Sequence, residues 1–69
     1  MKKILNVEGM MCAHCEARVR KALEALPAVE SAEPDHETGR VTVTLTAPIP
    51  DEELVSAVTR VGYSVRGVD

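Results

Sequence analysis

The chain has no tryptophan and no phenylalanine, and Tyr63 is its only aromatic residue. No aromatic stripe is therefore present to stack bases. Positive charge is also in short supply: 8 Lys and Arg stand against 11 Asp and Glu, for a formal net charge of -3. A nucleic-acid binder needs a basic face for phosphate contacts, so a nucleic-acid partner is not expected. No apolar run approaches the roughly 20 residues of a membrane-spanning helix, so no direct membrane insertion is expected either. Met1-Lys2-Lys3 resembles the start of a secretion signal, but Asn6 and Glu8 interrupt the apolar run too early. The expectation is a soluble, cytoplasmic protein. Its two cysteines, Cys12 and Cys15, would be reduced there, which disfavours a structural disulfide.

What remains is an ordinary globular composition, 45% hydrophobic and 28% charged over 69 residues. That length holds one domain, expected over 1–69, with a thin aliphatic core. No linker, low-complexity stretch or internal repeat interrupts it. Ile4 to Glu8 reads as a short strand with Leu5 and Val7 on one face, ended by Gly9. Met10 to His14 reads as a loop. A helix is expected from about Cys15 to Leu26, with Val19, Ala22, Leu23 and Leu26 at helical spacing. Pro27 stops it. Val29 to about Asp35 reads as a weaker strand, and Pro34, having no amide hydrogen, places it at a sheet edge. His36 to Gly39 forms a turn, with Gly39 suited to a positive φ.

Arg40 to Thr46 is the clearest strand, because Val41, Val43 and Leu45 alternate with threonines. After Pro48 and Pro50, the acidic run Asp51, Glu52 and Glu53 suits a helix N-terminus. Leu54, Ala57, Val58 and Val61 would form that helix's buried face, and Gly62 its end. Tyr63 to Val68 reads as the last strand. The order β-α-β-β-α-β predicts an α+β fold: a ferredoxin-like sandwich, with two helices on one face of a four-stranded antiparallel sheet.

The chemistry concentrates in Gly9-Met10-Met11-Cys12-Ala13-His14-Cys15, between the first strand and first helix. Cys-x-x-Cys spacing lets two sulfurs converge where a loop meets a helix. Alone, it fits a disulfide, half of a zinc site or a thioredoxin-like redox pair. A closed structural zinc site needs four ligands, and only His14 and His36 remain to supply others. The thioredoxin fold needs a longer chain with another element order. Two thiolates suit a soft ion of low coordination number, and Cu(I) is the common biological one. A helix N-terminus supplies free N–H groups and the positive end of the dipole, which lower a thiol pKa toward about 7. The same end stabilises the anionic cuprous bis-thiolate. An ion held by only two sulfurs is open to attack by a third, so a partner with its own cysteine pair could take it stepwise. A homodimer induced by copper shared between two such loops stays open.

Gly-Met-x-Cys-x-x-Cys after a first strand, with Gly62-Tyr63 before the last, resembles the heavy-metal-associated domain family. Within it the chain is most similar to the small bacterial copper chaperones of the CopZ type. The resemblance covers nearly the whole chain. It implies Cu(I) bound by Cys12 and Cys15. It also implies delivery to the N-terminal metal-binding domain of a copper-transporting P-type ATPase, or exchange with a copper-responsive regulator. Met11 departs from the small polar residue often found at its position.

Around the two cysteines, Met10 is expected to pack and anchor the loop, and Met11 to face solvent as a soft side chain near the metal or partner. His14 would tune Cys15 or stay solvated in the loop. Tyr63 would cover the metal loop. His36 is expected to be structural or idle. The Arg18, Arg20 and Lys21 cluster reads as a solvated helix face or as a patch orienting a partner. No enzymatic activity is expected. Other readings are a mercury or a zinc/cadmium binding protein of the same fold, a small dithiol oxidoreductase, and a regulatory domain of a larger transporter. Zinc-selective relatives usually carry a carboxylate where Met11 stands. A free-standing protein from Met1 to Asp69 is the favoured reading.

Overall fold

The computed structural model describes residues 1–68; Asp69, the last residue of the expected domain, lies outside them. The chain forms β1 (Lys2–Glu8), α1 (Ala13–Glu24), β2 (Val29–Asp35), β3 (Arg40–Leu45), α2 (Asp51–Arg60) and β4 (Ser64–Val68). The four strands pair antiparallel in the order β2-β3-β1-β4. Each helix carries the chain over an intervening strand, which is the expected split βαβ arrangement.

Alternation along the central strands decides which face the helices cover. Leu5 and Val7 of β1 and Val41, Val43 and Leu45 of β3 point into the core. Val19 and Leu23 of α1 meet them there with Leu54, Ala57 and Val58 of α2. α1 packs on β2 and α2, and α2 on β4, so one sheet face is covered. Leu5, Leu23 and Leu54 are fully buried. Removing one such side chain to Ala costs about 2–5 kcal/mol. A domain this small has only about 3–10 kcal/mol in total.

Proline and glycine act where the sequence places them. β2 is an edge strand, and Pro34 opposes Val41 within it. Gly39 takes φ +74° in the β2–β3 turn, where an added Cβ would lie 3.0 Å from the Val7 carbonyl oxygen.

Several boundaries differ from expectation. β1 starts at Lys2, because Lys2 and Lys3 pair with Thr44 and Val43 of β3. β3 ends at Leu45, and β4 begins at Ser64, leaving Tyr63 in the preceding connection. α1 runs from Ala13 to Glu24 rather than from Cys15 to Leu26. Its N-cap is Cys12, with extended φ -162° and ψ 177°. Leu26 lies past the helix but still packs on the core, half-buried. Val61 is the C-cap of α2 and only half-buried, because the helix ends before its periodicity would bring Val61 inside.

Candidate metal centre

The candidate metal loop is built by a glycine, a buried methionine and a helix start. Gly9 leaves β1 with φ +101°. A Cβ there would sit 3.0 Å from Cδ1 of Tyr63, so the bare glycine lets the tyrosine ring lie against the loop. Met10 turns inward and is 7% exposed, anchoring the loop to the core as expected. Met11 turns outward and is 83% exposed. Cys12 follows as the N-cap, and its carbonyl accepts the first helical hydrogen bond from Glu16 N–H at 3.2 Å.

The earlier helix start changes the setting of two residues. Cys15 lies within the first turn, among amides that the helix itself leaves unpaired. His14 is helical and exposed, not part of a loop. Both cysteines are free thiols, Cys12 exposed and Cys15 half-buried.

The two sulfurs are not equivalent. The Cys15 thiol is lowered to about 7. The hydroxyl of Tyr63 is the largest cause, followed by the backbone N–H of Met11; partial burial opposes them, and the Cys12 side chain and N–H add smaller help. Each donor favours the ionised sulfur over the neutral one. Tyr63 shows the reciprocal effect: donating to the Cys15 sulfur pushes its phenol up, helped by burial and by the thiolate charge. Arg18, one turn beyond Cys15, acts on the phenol in the opposite direction. Tyr63, the Met11 backbone and Cys12 thus all act on the Cys15 sulfur, and Met10 is buried in the core.

Charge is divided along the molecule. Arg18 and Lys21 of α1 line a shallow groove with Arg60, Val61 and Gly62 at the end of α2, next to Tyr63. Asp51, Glu52 and Glu53 open α2 at the other end of the helix. Asp51 pairs there with Lys3, near the start of β1 and far from the loop that follows its end. Arg18, Lys21 and Arg60 therefore form a basic groove next to Tyr63, while Glu8 and Glu16 flank the loop in the sequence.

One constellation has no local signal in the sequence. Glu16, next to Cys15, accepts the backbone N–H of His36 at 2.7 Å and contacts the ring Nδ1 at 2.5 Å with the same Oε2. His36 is thus structural, as one of its expected readings had it. Its charged form is favoured chiefly by that side-chain hydrogen bond, and the Glu16 carboxyl is held below its ordinary value, chiefly by the backbone N–H of His36.

The family model for the heavy-metal-associated domain matches residues 4–64. The chain belongs to this family. Among similar proteins is the copper chaperone CopZ of Staphylococcus aureus (strain MRSA252), 38% identical over 65 residues, covering 93% of this chain and 96% of the relative. Copper-transporting ATPase 2 of Rhizobium meliloti (strain 1021) is 43% identical over 63 residues, 90% of this chain and 8% of the relative. A mercuric reductase of Acidithiobacillus ferrooxidans is 39% identical over 61 residues, 88% of this chain and 11% of the relative. The chain thus spans only a small part of the ATPase and of the reductase. A solved CopZ metallochaperone structure superposes with TM-score 0.89 at 36% identity, covering 94% of this chain and 98% of that one. This heavy-metal-associated domain has the expected ferredoxin-like fold, with the Cys-x-x-Cys motif at the start of α1. No helix among its described residues is long and apolar enough to cross a membrane.

Proposed function

We propose that this domain, acting as one unit over 1–69, is a cytoplasmic copper chaperone. In this reading it binds Cu(I) between the sulfurs of Cys12 and Cys15 and passes it on by ligand exchange. The observation that carries the reading is the pair of free thiols at the start of α1, one of them lowered to about 7. Two thiolates offer a soft, low-coordinate site, and Cu(I) accepts it. The extended N-cap leaves Cys12 exposed to an incoming partner, while Cys15 is held by its donors. A thiolate of the partner adds to the ion, Cys12 departs, a second partner thiolate adds, and Cys15 departs last. No electrons change hands, and the total of metal–sulfur bonds is restored at the end.

The recipient in this reading is a domain of the same fold in a copper-transporting P-type ATPase, or a copper-responsive regulator. Similarity to the ATPase of Rhizobium meliloti supports the first. The basic residues Arg18, Lys21 and Arg60 beside the loop favour an acidic partner face. Met10 shapes the loop, Tyr63 holds Cys15, and Met11 and His14 face the partner. No reaction is catalysed.

The test is anaerobic competition among Cu(I), Zn(II) and Hg(II), read by native mass spectrometry, on the reduced chain and on Cys12→Ser and Cys15→Ser. One Cu(I) per chain is expected, with affinity reduced by orders of magnitude in either variant. Undiminished uptake by Cys15→Ser would refute the site. Similarity to a mercuric reductase supports a second reading, an Hg(II) carrier with the same two ligands. Preference for Hg(II) with no retained Cu(I) would select it.

A further inference from the structure

An edge strand exposes every second backbone N–H and C=O to whatever can pair with them. β2 is such an edge, and Val29 to Asp35 is long enough to template another strand. Its outward side carries the amide of Ala32 and then Pro34, and the amide of His36 follows in the turn just past the strand's end. Pro34 has no hydrogen to donate. The Ala32 N–H donates to Glu24 Oε2 at 3.1 Å, and the His36 N–H donates to Glu16 Oε2 at 2.7 Å. Both acceptors stand on α1.

The spacings agree. Glu16 and Glu24 are two helical turns apart, about 12 Å at 1.5 Å per residue. Ala32 lies in β2 and His36 one residue past its end, in the turn, so the two amides are four residues apart, at most about 13 Å at 3.3 Å per residue. Running antiparallel to the strand, the helix presents acceptor, cation, acceptor to donor, no donor, donor. Arg20 occupies the middle position, level with Pro34, and its Nε lies 3.3 Å from the Glu24 carboxylate. The helix thus takes up two amides at this edge that an added strand could otherwise use.

We infer that Glu16 and Glu24 of α1 seal the β2 edge, occupying the amides on which a second copy of this chain would otherwise add a strand. The matching partner is another β2, because the edge is its own complement in an antiparallel pair. The inference is independent of any metal and of the proposed transfer. It also gives Glu16 a task distinct from the chemistry of its neighbour Cys15.

The test uses the reduced, metal-free chain, so that no metal can bridge two copies. Backbone amide exchange in the wild-type chain should be slowed about tenfold or more at both Ala32 and His36, as suits hydrogen bonds to carboxylates. Glu24→Ala should release Ala32 alone, by a similar factor, with His36 unchanged. Exchange of Ala32 at the rate of an open amide in the wild-type chain would overturn the inference whatever the variants do. Sedimentation velocity then compares Glu16→Ala/Glu24→Ala with Glu16→Gln/Glu24→Gln. The alanine pair should form concentration-dependent dimers. The glutamine pair, which keeps an accepting oxygen, should stay monomeric. A folded alanine pair that remains monomeric, or a glutamine pair that associates equally, would overturn it.

Discussion

Replacing Tyr63 with Phe removes a single oxygen and leaves the ring that lies against Gly9. The hydroxyl is the largest of the influences that bring Cys15 to about 7 from an ordinary 9.0. The remaining donors, chiefly the Met11 N–H and more weakly the side chain and N–H of Cys12, are left in place by the substitution. A hydrogen bond to an ionised acceptor changes its protonation equilibrium by about tenfold, so the Cys15 midpoint should rise by about one pH unit. At neutral pH the ionised fraction would fall from about one half to about one tenth, a fivefold loss of nucleophile. The assay is iodoacetamide alkylation of the reduced, metal-free chain from pH 5 to 10, with Cys12 and Cys15 resolved by peptide mass. An unmoved Cys15 midpoint in Tyr63→Phe would refute the assignment of Tyr63 as its main donor. A wild-type midpoint near 9 would refute the thiolate account altogether.

The same thiol sets a stability profile. Because its folded-state value is depressed, its contribution is complete above 9.0 and disappears as pH falls through about 7, so metal-free stability to urea should climb across that interval and flatten in Cys15→Ser. Gly9→Ala combines a strained φ with a clash against the Tyr63 ring, so thermal melting should show lost stability and alkylation should show a raised Cys15 midpoint; an unchanged midpoint would separate Gly9 from the site. The His36 ring should titrate above 6.5 by NMR and return toward it in Glu16→Gln; its contribution to stability is complete below the unfolded value and is lost as pH rises through the folded one. Leu54→Ala should cost about 2–5 kcal/mol in urea unfolding, and a loss under about 1 kcal/mol would mean the site is not closed as described.

The parts of this fold legible in the sequence are those with a local cause. Val41, Val43 and Leu45 alternate because β3 buries one face, and Pro34 marks the edge because it cannot donate. Helix boundaries were harder to read because their signals are weak here. Cys12 caps α1 without a side-chain hydrogen bond, and cysteine is not among the residues that announce an N-cap. The periodicity of α2 points to Val61, but the C-cap conformation stops the helix there. The site divides in the same way. Cys-x-x-Cys is local and visible. The Tyr63 contact with Cys15 and the Glu16 contacts with His36 join distant segments, and no periodicity in either segment carries them.

The loop's two halves answer opposite demands on a carrier. A sulfur that several donors hold is ionised in a large fraction at neutral pH, and loses little entropy on meeting a metal. Cys15 is in that position: the Tyr63 hydroxyl and the loop amides of Met11 and Cys12 act on it, and it is half-buried. A sulfur at an extended, exposed cap can swing and be replaced at little structural cost, and Cys12 is in that position. If both were held alike, the ion would be trapped; if both were loose, it would be lost to any thiol in solution. The asymmetry lets retention and release be set by different residues. In the proposed function, Tyr63 would govern how firmly the cargo is kept, and the surface around Cys12, including exposed Met11, would govern which partner takes it.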